Sequence, residues 1–192
     1  KLRGKEWQVA VAQTYSNHVI LVGLGHLGFR VARELHNLGQ NVVAVERDPG
    51  AQLLAGVQTL NIPIIAGDAV LPEVLRQAGI ERASAIILCT NNDSINLQLA
   101  LKARALNKHV RLILRLFDDE FASELRDQFH LTHAFSASAL AAPAFAGAAL
   151  TQIDISGPIS LEGRVMNVGR LVVRAASALN GLSVQQMEHE FN

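Results

Sequence analysis

The first glycine-rich segment of the chain reads Gly23-Leu24-Gly25-His26-Leu27-Gly28, with the spacing G-x-G-x-x-G. It follows an apolar run, Val19–Val22, and it opens a segment in which leucine and valine recur every three or four residues. A turn of this kind between a buried strand and an amphipathic helix is typical of a dinucleotide-binding βαβ unit. We therefore predict a phosphate site at this turn.

Each glycine of the turn has a physical role in such a site. Gly23 permits the tight turn, Gly25 lets a pyrophosphate approach the backbone, and Gly28 lets the helix pack closely. The amide groups that begin the helix, at His26 and Leu27, then face the phosphates. The imidazole of His26 could donate to the anion or could simply face solvent, and the sequence leaves both open.

An acidic residue ends the second predicted strand. Glu46 lies 18 positions after Gly28 and is expected to accept hydrogen bonds from ribose hydroxyls. The same carboxylate would repel a 2′-phosphate, so NADP is disfavoured, although the adjacent Arg47 weakens that exclusion. The expected ligand is NAD(H) or an adenine mononucleotide (AMP, ADP or ATP), and the sequence does not choose among them.

Apolar runs and helical stripes alternate along the chain to about residue 135. The runs are continuous rather than alternating, which indicates strands buried on both faces. They lie at His18–Val22, Asn41–Val45, Ile64–Ala66, Ala85–Cys89 and Val110–Leu114. This order predicts an α/β fold: a Rossmann-type, doubly wound parallel sheet with helices on both faces, followed by a crossover helix and a short C-terminal extension.

The segments outside this pattern set the expected domain limits. Residues 1–16 show no clear period and are predicted to form an arm or linker before the nucleotide-binding domain, residues 17–137. Residues 138–153 are rich in alanine and are predicted to form a crossover helix. Residues 154–192 are too few for a second domain, so we expect the start of a truncated C-terminal subdomain. The chain begins at Lys1 rather than methionine, which also suggests a piece of a longer protein.

Polar residues follow the third and fourth predicted strands, at the edge where ligands bind in open parallel sheets. Asp68 and Ala69 follow the third strand and could border an adenine ring, while Asp68 could instead cap a helix. Thr90, Asn92 and Asn96 follow the fourth strand and offer neutral donors and acceptors to the phosphates or to a second sugar.

Arg115 ends the fifth predicted strand. Its guanidinium could bind a phosphate through two N–H groups, or it could pair with Asp118 or Asp119. Asp93 or Ser94 could cap the helix that follows the fourth strand.

Composition excludes several classes of protein. The 192 residues carry 17 basic and 17 acidic side chains, and 49% of them are hydrophobic. The charge balance argues against a nucleic-acid binder that neutralises phosphates, and the apolar fraction argues against a disordered chain. The single cysteine, Cys89, excludes a disulfide framework and a multi-cysteine zinc site, so no metal site is predicted. We expect Cys89 to be a buried small hydrophobe.

These segments together resemble the RCK domain, also called the TrkA-N domain, the cytosolic nucleotide-binding regulator of potassium channels and transporters. The resemblance covers about residues 18–150. Besides the glycine turn, it is carried by Val42–Asp48, Ile65–Ala69, Pro72–Ile80 and Thr90–Leu97. The family often has Asp at the place of Glu46 and Arg at the place of His26, which leaves the nucleotide open.

The resemblance implies regulation rather than catalysis. A nucleotide bound at the sheet would shift paired domains, and that movement would act on a membrane potassium channel or transporter, in a separate subunit or in the same full-length chain. It also implies a homodimer or higher homo-oligomer held by residues 138–153, with no nucleic-acid partner. The expected location is the cytoplasm, at the cytosolic face of the membrane.

An NAD-dependent oxidoreductase is the alternative. The only tyrosine, Tyr15, precedes the first strand, so no Tyr-x-x-x-Lys pair can follow within the fold. No second domain is long enough to hold a substrate. A histidine base at His109 or His133 stays open.

Overall fold

A computed structural model describes residues 4–48, 50, 54–118, 120, 122, 124, 133–150, 154–161, 164–170, 173 and 175–186. By their internal contacts the chain divides into two units, Lys1–Ala137 and Ser138–Asn192. Among the described residues, no helix is both long enough and apolar enough to span a bilayer.

The first unit is built on a six-stranded parallel sheet. In chain order the strands are β1 (Val19–Val22), β2 (Val42–Glu46), β3 (Ile64–Ala66), β4 (Ala85–Leu88), β5 (Arg111–Leu116) and β6 (His133–Ser136). Their order in the sheet is β3-β2-β1-β4-β5-β6, and every pairing is parallel. The chain therefore switches sides between β1 and β4, which opens a crevice beyond their carboxyl ends. The predicted Rossmann-type fold is confirmed.

Helices cover both faces of this sheet. They are α1 (Lys5–Thr14), α2 (His26–Asn37), α3 (Leu54–Thr59), α4 (Pro72–Gln77) and α5 (Asp93–Leu106), and a 3₁₀ turn (Ile80–Arg82) follows α4. Successive strand residues point to opposite faces, so each strand supplies two cores. Ile20 and Val43 pack in the core that includes α4 and α5, whereas Leu21 and Ala44 pack in the core that includes α2 and α3.

The N-terminal segment corrects the sequence analysis, which expected an arm over residues 1–16. Helix α1 docks on the edge of the sheet, where Gln8 Oε1 accepts the N–H of Ile64 at 2.9 Å. Gln13 Nε2 donates to the last carbonyls of α4, at 2.9 and 3.0 Å. Residues 5–14 thus form a docked helix rather than an arm or linker: α1 buries Gln8 and Ala12, and the partly buried Val9 packs against the same core.

The amino ends of the strands are closed by bonds from side chains to the backbone. His18 is 1% exposed, and its Nε2 donates to the carbonyl of Ala78 at 2.9 Å. The Ser84 hydroxyl lies 3.1 Å from the carbonyl oxygens of Asn17 and His18. Asn107 Nδ2 donates to two carbonyls in the segment that joins α4 to β4. These bonds fix how the strands enter the sheet.

The second unit begins with α6 (Ala137–Leu150), whose first residue, Ala137, is the last residue of the first unit. It contains an antiparallel hairpin of β7 (Asp154–Leu161) and β8 (Arg164–Arg170). A helix of 14 residues is therefore present where residues 138–153 were predicted to be helical, and its role as a crossover stays a prediction. Two large apolar side chains of α6 are exposed, Leu140 at 39% and Phe145 at 78%.

Candidate functional site

A cavity of about 500 Å³ lies beyond the carboxyl ends of β1 to β5. The glycine turn forms one wall, and the segments after β2, β3, β4 and β5 form the others. Most of the predicted site residues line it: Gly23, Gly25, Glu46, Arg47, Asp68, Ala69, Thr90, Asn92 and Arg115. The others, His26, Leu27, Gly28 and Asn96, are not among its lining residues.

The three glycines of the turn differ in what their missing side chains allow. Gly23 has a φ of +92°, and a Cβ there would lie 3.2 Å from the backbone of Cys89 and Thr90. A Cβ on Gly28 would collide with the carbonyl oxygen of Gly23. A Cβ on Gly25 would meet no atom within 4 Å. The fold thus requires glycine at 23 and 28, whereas Gly25 borders free space that a ligand can occupy.

The Glu46 carboxylate ties the end of β2 to the glycine turn. Its Oε2 accepts the N–H of Leu24 at 2.6 Å, and its Oε1 accepts the N–H of Asp48 at 2.8 Å. An ionised carboxylate oxygen can accept a second bond, so these contacts leave capacity for ribose hydroxyls. The expected ribose contact stays a prediction, and the structure adds a role for Glu46 in holding the glycine turn.

The loop after β3 is closed by its own aspartate. Asp68 Oδ1 accepts the N–H of Val70 at 2.9 Å, while the residue that caps α4 is Leu71. Asp68 therefore closes a turn and does not cap the helix. Lys102 of α5 donates from Nζ to the carbonyl of Val70 at 2.6 Å, which anchors this wall of the cavity to the neighbouring helix.

Asn96 lies behind the cavity wall. It is fully buried, its Nδ2 donates to the carbonyl of Arg115 at 2.9 Å, and its Oδ1 accepts the Thr90 hydroxyl at 2.7 Å. The expected ligand contact of Asn96 is thus replaced by a bridge between the ends of β4 and β5. The residue that caps α5 is Asn92, rather than the expected Asp93 or Ser94, since Asn92 Oδ1 accepts the N–H of Ile95 at 2.9 Å.

Arg115 brings a positive charge to the far end of the cavity. Its Nε is buried with no hydrogen-bond partner, and its guanidinium carbon lies 4.2 Å from the centre of the Phe117 ring. The described residues show no ion pair between Arg115 and Asp118, and Asp119 lies outside them. Next to this arginine, burial raises the pKa of the Cys89 thiol to about 11, in agreement with its expected role as a small hydrophobe.

One wall of the cavity is apolar, and the sequence analysis did not assign it to the site. It consists of Val22, Val45, Cys89, Ile95 and Leu99. Each of these residues belongs to a strand or helix pattern that already indicates burial, so nothing in the sequence marks it as a ligand contact. A cavity with one apolar wall and several polar groups suits a flat aromatic base attached to a polar sugar phosphate.

The sheet order, the glycine turn at the switch point and the cavity beside it define a Rossmann-type nucleotide-binding domain. The sequence model of the TrkA-N domain matches residues 19–137. The chain therefore belongs to the TrkA-N domain family, and the resemblance noted from its motifs is confirmed.

Two relatives and one solved structure illustrate the similarity. The chain is 31% identical over 103 residues to a Trk system potassium uptake protein TrkA homolog of Pyrococcus horikoshii, covering 53% of the chain and 44% of the relative. It is 29% identical over 112 residues to the voltage-gated potassium channel Kch of Escherichia coli, covering 57% and 27%. The structure of GsuK bound to ADP is 26% identical with a TM-score of 0.56, over 74% of this chain and 36% of that one. The chain thus spans less than half the length of each.

Proposed function

We propose that this chain is a regulatory domain that binds an adenine nucleotide, NAD(H) or AMP, ADP or ATP, and thereby controls a potassium channel or transporter. The observation that carries the proposal is the open space at Gly25, at the switch point of the sheet. The ADP in the GsuK structure supports an adenine nucleotide. The Trk and Kch relatives support potassium transport as the controlled process.

The lining residues suggest how the ligand is held. Glu46 accepts the ribose hydroxyls at the end of β2, and the base lies beside Asp68 and Ala69 against the apolar wall. The phosphates lie at Gly25 and at the first amides of α2, where the helix dipole favours negative charge. NAD(H) would fill the same crevice with a second nucleotide half on the side of β4.

Regulation requires that the nucleotide bind one arrangement of the assembled protein better than another. That difference in binding free energy is then the work available to shift a channel or transporter between its states. In this proposal the domain acts at the cytosolic face of the membrane and performs no chemistry on its nucleotide. Oxidation of NADH by the purified protein with any added substrate would instead support the oxidoreductase alternative.

The test is calorimetric titration of Gly25→Val with adenine nucleotides. The valine side chain should fill the phosphate space and abolish binding, while the fold survives because a Cβ at this position meets no atom. Gly4→Val is the matched control, since Gly4 also caps a helix with a negative φ and also faces open space. Unchanged affinity of Gly25→Val for every adenine nucleotide would contradict the proposal.

We also propose that copies of the chain associate through α6. Its exposed Phe145 and its uncharged, alanine-rich sequence suit close packing against a second copy, and soluble assemblies favour two-fold symmetry. Phe145→Asp should shift light scattering towards the monomer with the helical circular dichroism retained. Leu38→Asp is the control, at a leucine of the first unit that is 72% exposed, and it should leave the light scattering unchanged. A parent protein that is monomeric at micromolar concentration would refute this proposal.

A further inference from the structure

Arg115 is a charged residue of the cavity wall that has an unpartnered buried donor. Its Nε is buried without a hydrogen-bond partner, and no ion pair found among the described residues includes it. Its neighbour is an aromatic ring, Phe117, whose backbone N–H is held by Asp93 Oδ2 at 2.9 Å. A ring face attracts a guanidinium but leaves its N–H groups free. The guanidinium of Arg115 is therefore held in place by the ring, and its terminal N–H groups can still donate hydrogen bonds to a ligand.

Unlike Arg115, the two carboxylates of the cavity wall already have hydrogen-bond partners within the protein. Both oxygens of Glu46 and one oxygen of Asp68 already accept backbone N–H groups. Among the cavity cations, Arg47 lies at the end of β2, on the ribose side, whereas Arg115 lies at the end of β5. The two arginines therefore stand at opposite ends of the ligand path.

The sheet order sets the distance along that path. From β2 to β5 there are three strand intervals, through β1 and β4, or about 14 Å at 4.7–4.9 Å each. A ribose held at Glu46 puts its first phosphate at the glycine turn of β1. Each further phosphate extends towards β4 and β5, into the reach of the long Arg115 side chain.

We propose that Arg115 makes the affinity of the site depend on the number of phosphates, so that the site binds a nucleoside diphosphate or triphosphate more tightly than a monophosphate. Arg115 binds the second or third phosphate through the terminal N–H groups of its guanidinium, and the first phosphate is bound by the glycine turn alone. This inference rests on the proposed nucleotide function and adds the class of ligand that the site selects.

The experiment measures the affinities of AMP and ADP for the parent protein and for Arg115→Ala by calorimetry. The parent should bind ADP more tightly than AMP. In Arg115→Ala the affinity for ADP should fall by about 10- to 150-fold, the range for a lost bond to a charged group, whereas that for AMP should barely change. Arg115→Lys should recover part of the preference, because an ammonium keeps the charge without the planar donor fork.

Arg111→Ala is the matched control, because it removes one positive charge from the exposed amino end of the same strand, β5, outside the cavity lining. It should leave the ratio of the two affinities unchanged. Should Arg115→Ala unfold, as monitored by circular dichroism, Arg115→Gln keeps a polar side chain of similar reach and gives the same readout.

The outcomes separate this inference from the proposed function. Equal affinities for AMP and ADP in the parent, or the same affinity ratio in the parent and in the folded Arg115 variants, would overturn the role of Arg115 and leave nucleotide binding intact. No binding of either nucleotide by the parent protein would overturn both.

Discussion

At the amino ends of the strands, His18 Nε2, the Ser84 hydroxyl and Asn107 Nδ2 donate to backbone carbonyls, although His18 Nδ1 is buried without a partner. At the carboxyl ends, Gly25 faces open space and Arg115 Nε has no partner. Both ends belong to the same sheet, and both are rich in polar residues. The comparison shows that one end fixes how the strands enter the sheet, whereas the other keeps space and donors for a ligand.

The sharpest way to test the open end is to add a methyl group at two glycines of one turn. Gly28→Ala should lower the free energy of unfolding by about 3 kcal/mol, the upper range for overpacking, because its Cβ collides with the Gly23 carbonyl. Gly25→Ala should cause no loss, because its Cβ meets no atom. Urea unfolding of both variants measures the difference. Equal stability of the two variants would show that the turn can accommodate a Cβ at Gly28, and would contradict the difference drawn here between Gly25 and Gly28.

The second test concerns the acid at the end of β2. Glu46→Ala should weaken NAD binding by about 1.5–3 kcal/mol, the range for hydrogen bonds to a charged group, and should reduce the preference for NAD over NADP. Calorimetry with both dinucleotides measures this, with Glu73→Ala on the exposed side of α4 as the control. Tighter binding of NADP than of NAD by the parent protein would rule out the assigned role of Glu46.

The smallest expected effect lies at the closed end, and it depends on pH. Burial lowers the pKa of His18 below its usual value, and the charge of Arg82 acts in the same direction. The folded protein therefore favours the neutral imidazole, whereas the unfolded chain takes up a proton near pH 6.5. The His18 contribution to stability is complete above that pH and is lost as the pH falls below it, by at most about 1.4 kcal/mol per pH unit.

Urea midpoints at pH 7.5 and pH 5 measure this loss. His18→Gln should reduce the pH dependence, because the amide can still donate to the Ala78 carbonyl and does not titrate in this range. His36→Gln, at an exposed histidine of α2, should leave the dependence as it is. If His18→Gln retains the full pH dependence, other groups cause it.

The fold was predictable because each strand of the sheet centre buries both faces and each main helix has an apolar stripe. Runs such as Val19–Val22 and Val42–Val45 need no tertiary information to be recognised as buried strands. Helix α1 could not be found this way, because the residues it buries are Gln8 and Ala12. Its docking depends on an edge N–H of β3 that only the assembled sheet presents.

The site was predictable in its location more than in the role of each side chain. Residues after strands were expected near the ligand, and most of them line the cavity. Asn96 follows the same rule, yet its amide is taken by the Arg115 carbonyl and the Thr90 hydroxyl. A sequence shows that a polar group stands at the sheet edge, but the competition between backbone and ligand for that group is decided in three dimensions.

Helix α1 has a consequence for the order in which the chain acquires structure during synthesis. Gln8 bonds to a residue 56 positions further on, and Gln13 bonds to Arg82, 69 positions away. At 5–20 residues per second the ribosome needs roughly 3–14 s to supply those partners. A helix of ten residues is marginal alone in water, so residues 5–14 wait unfolded until the strand edge exists. Their docking face combines the buried Gln8 and Ala12 with the partly buried Val9, so it presents only a small apolar surface during that interval.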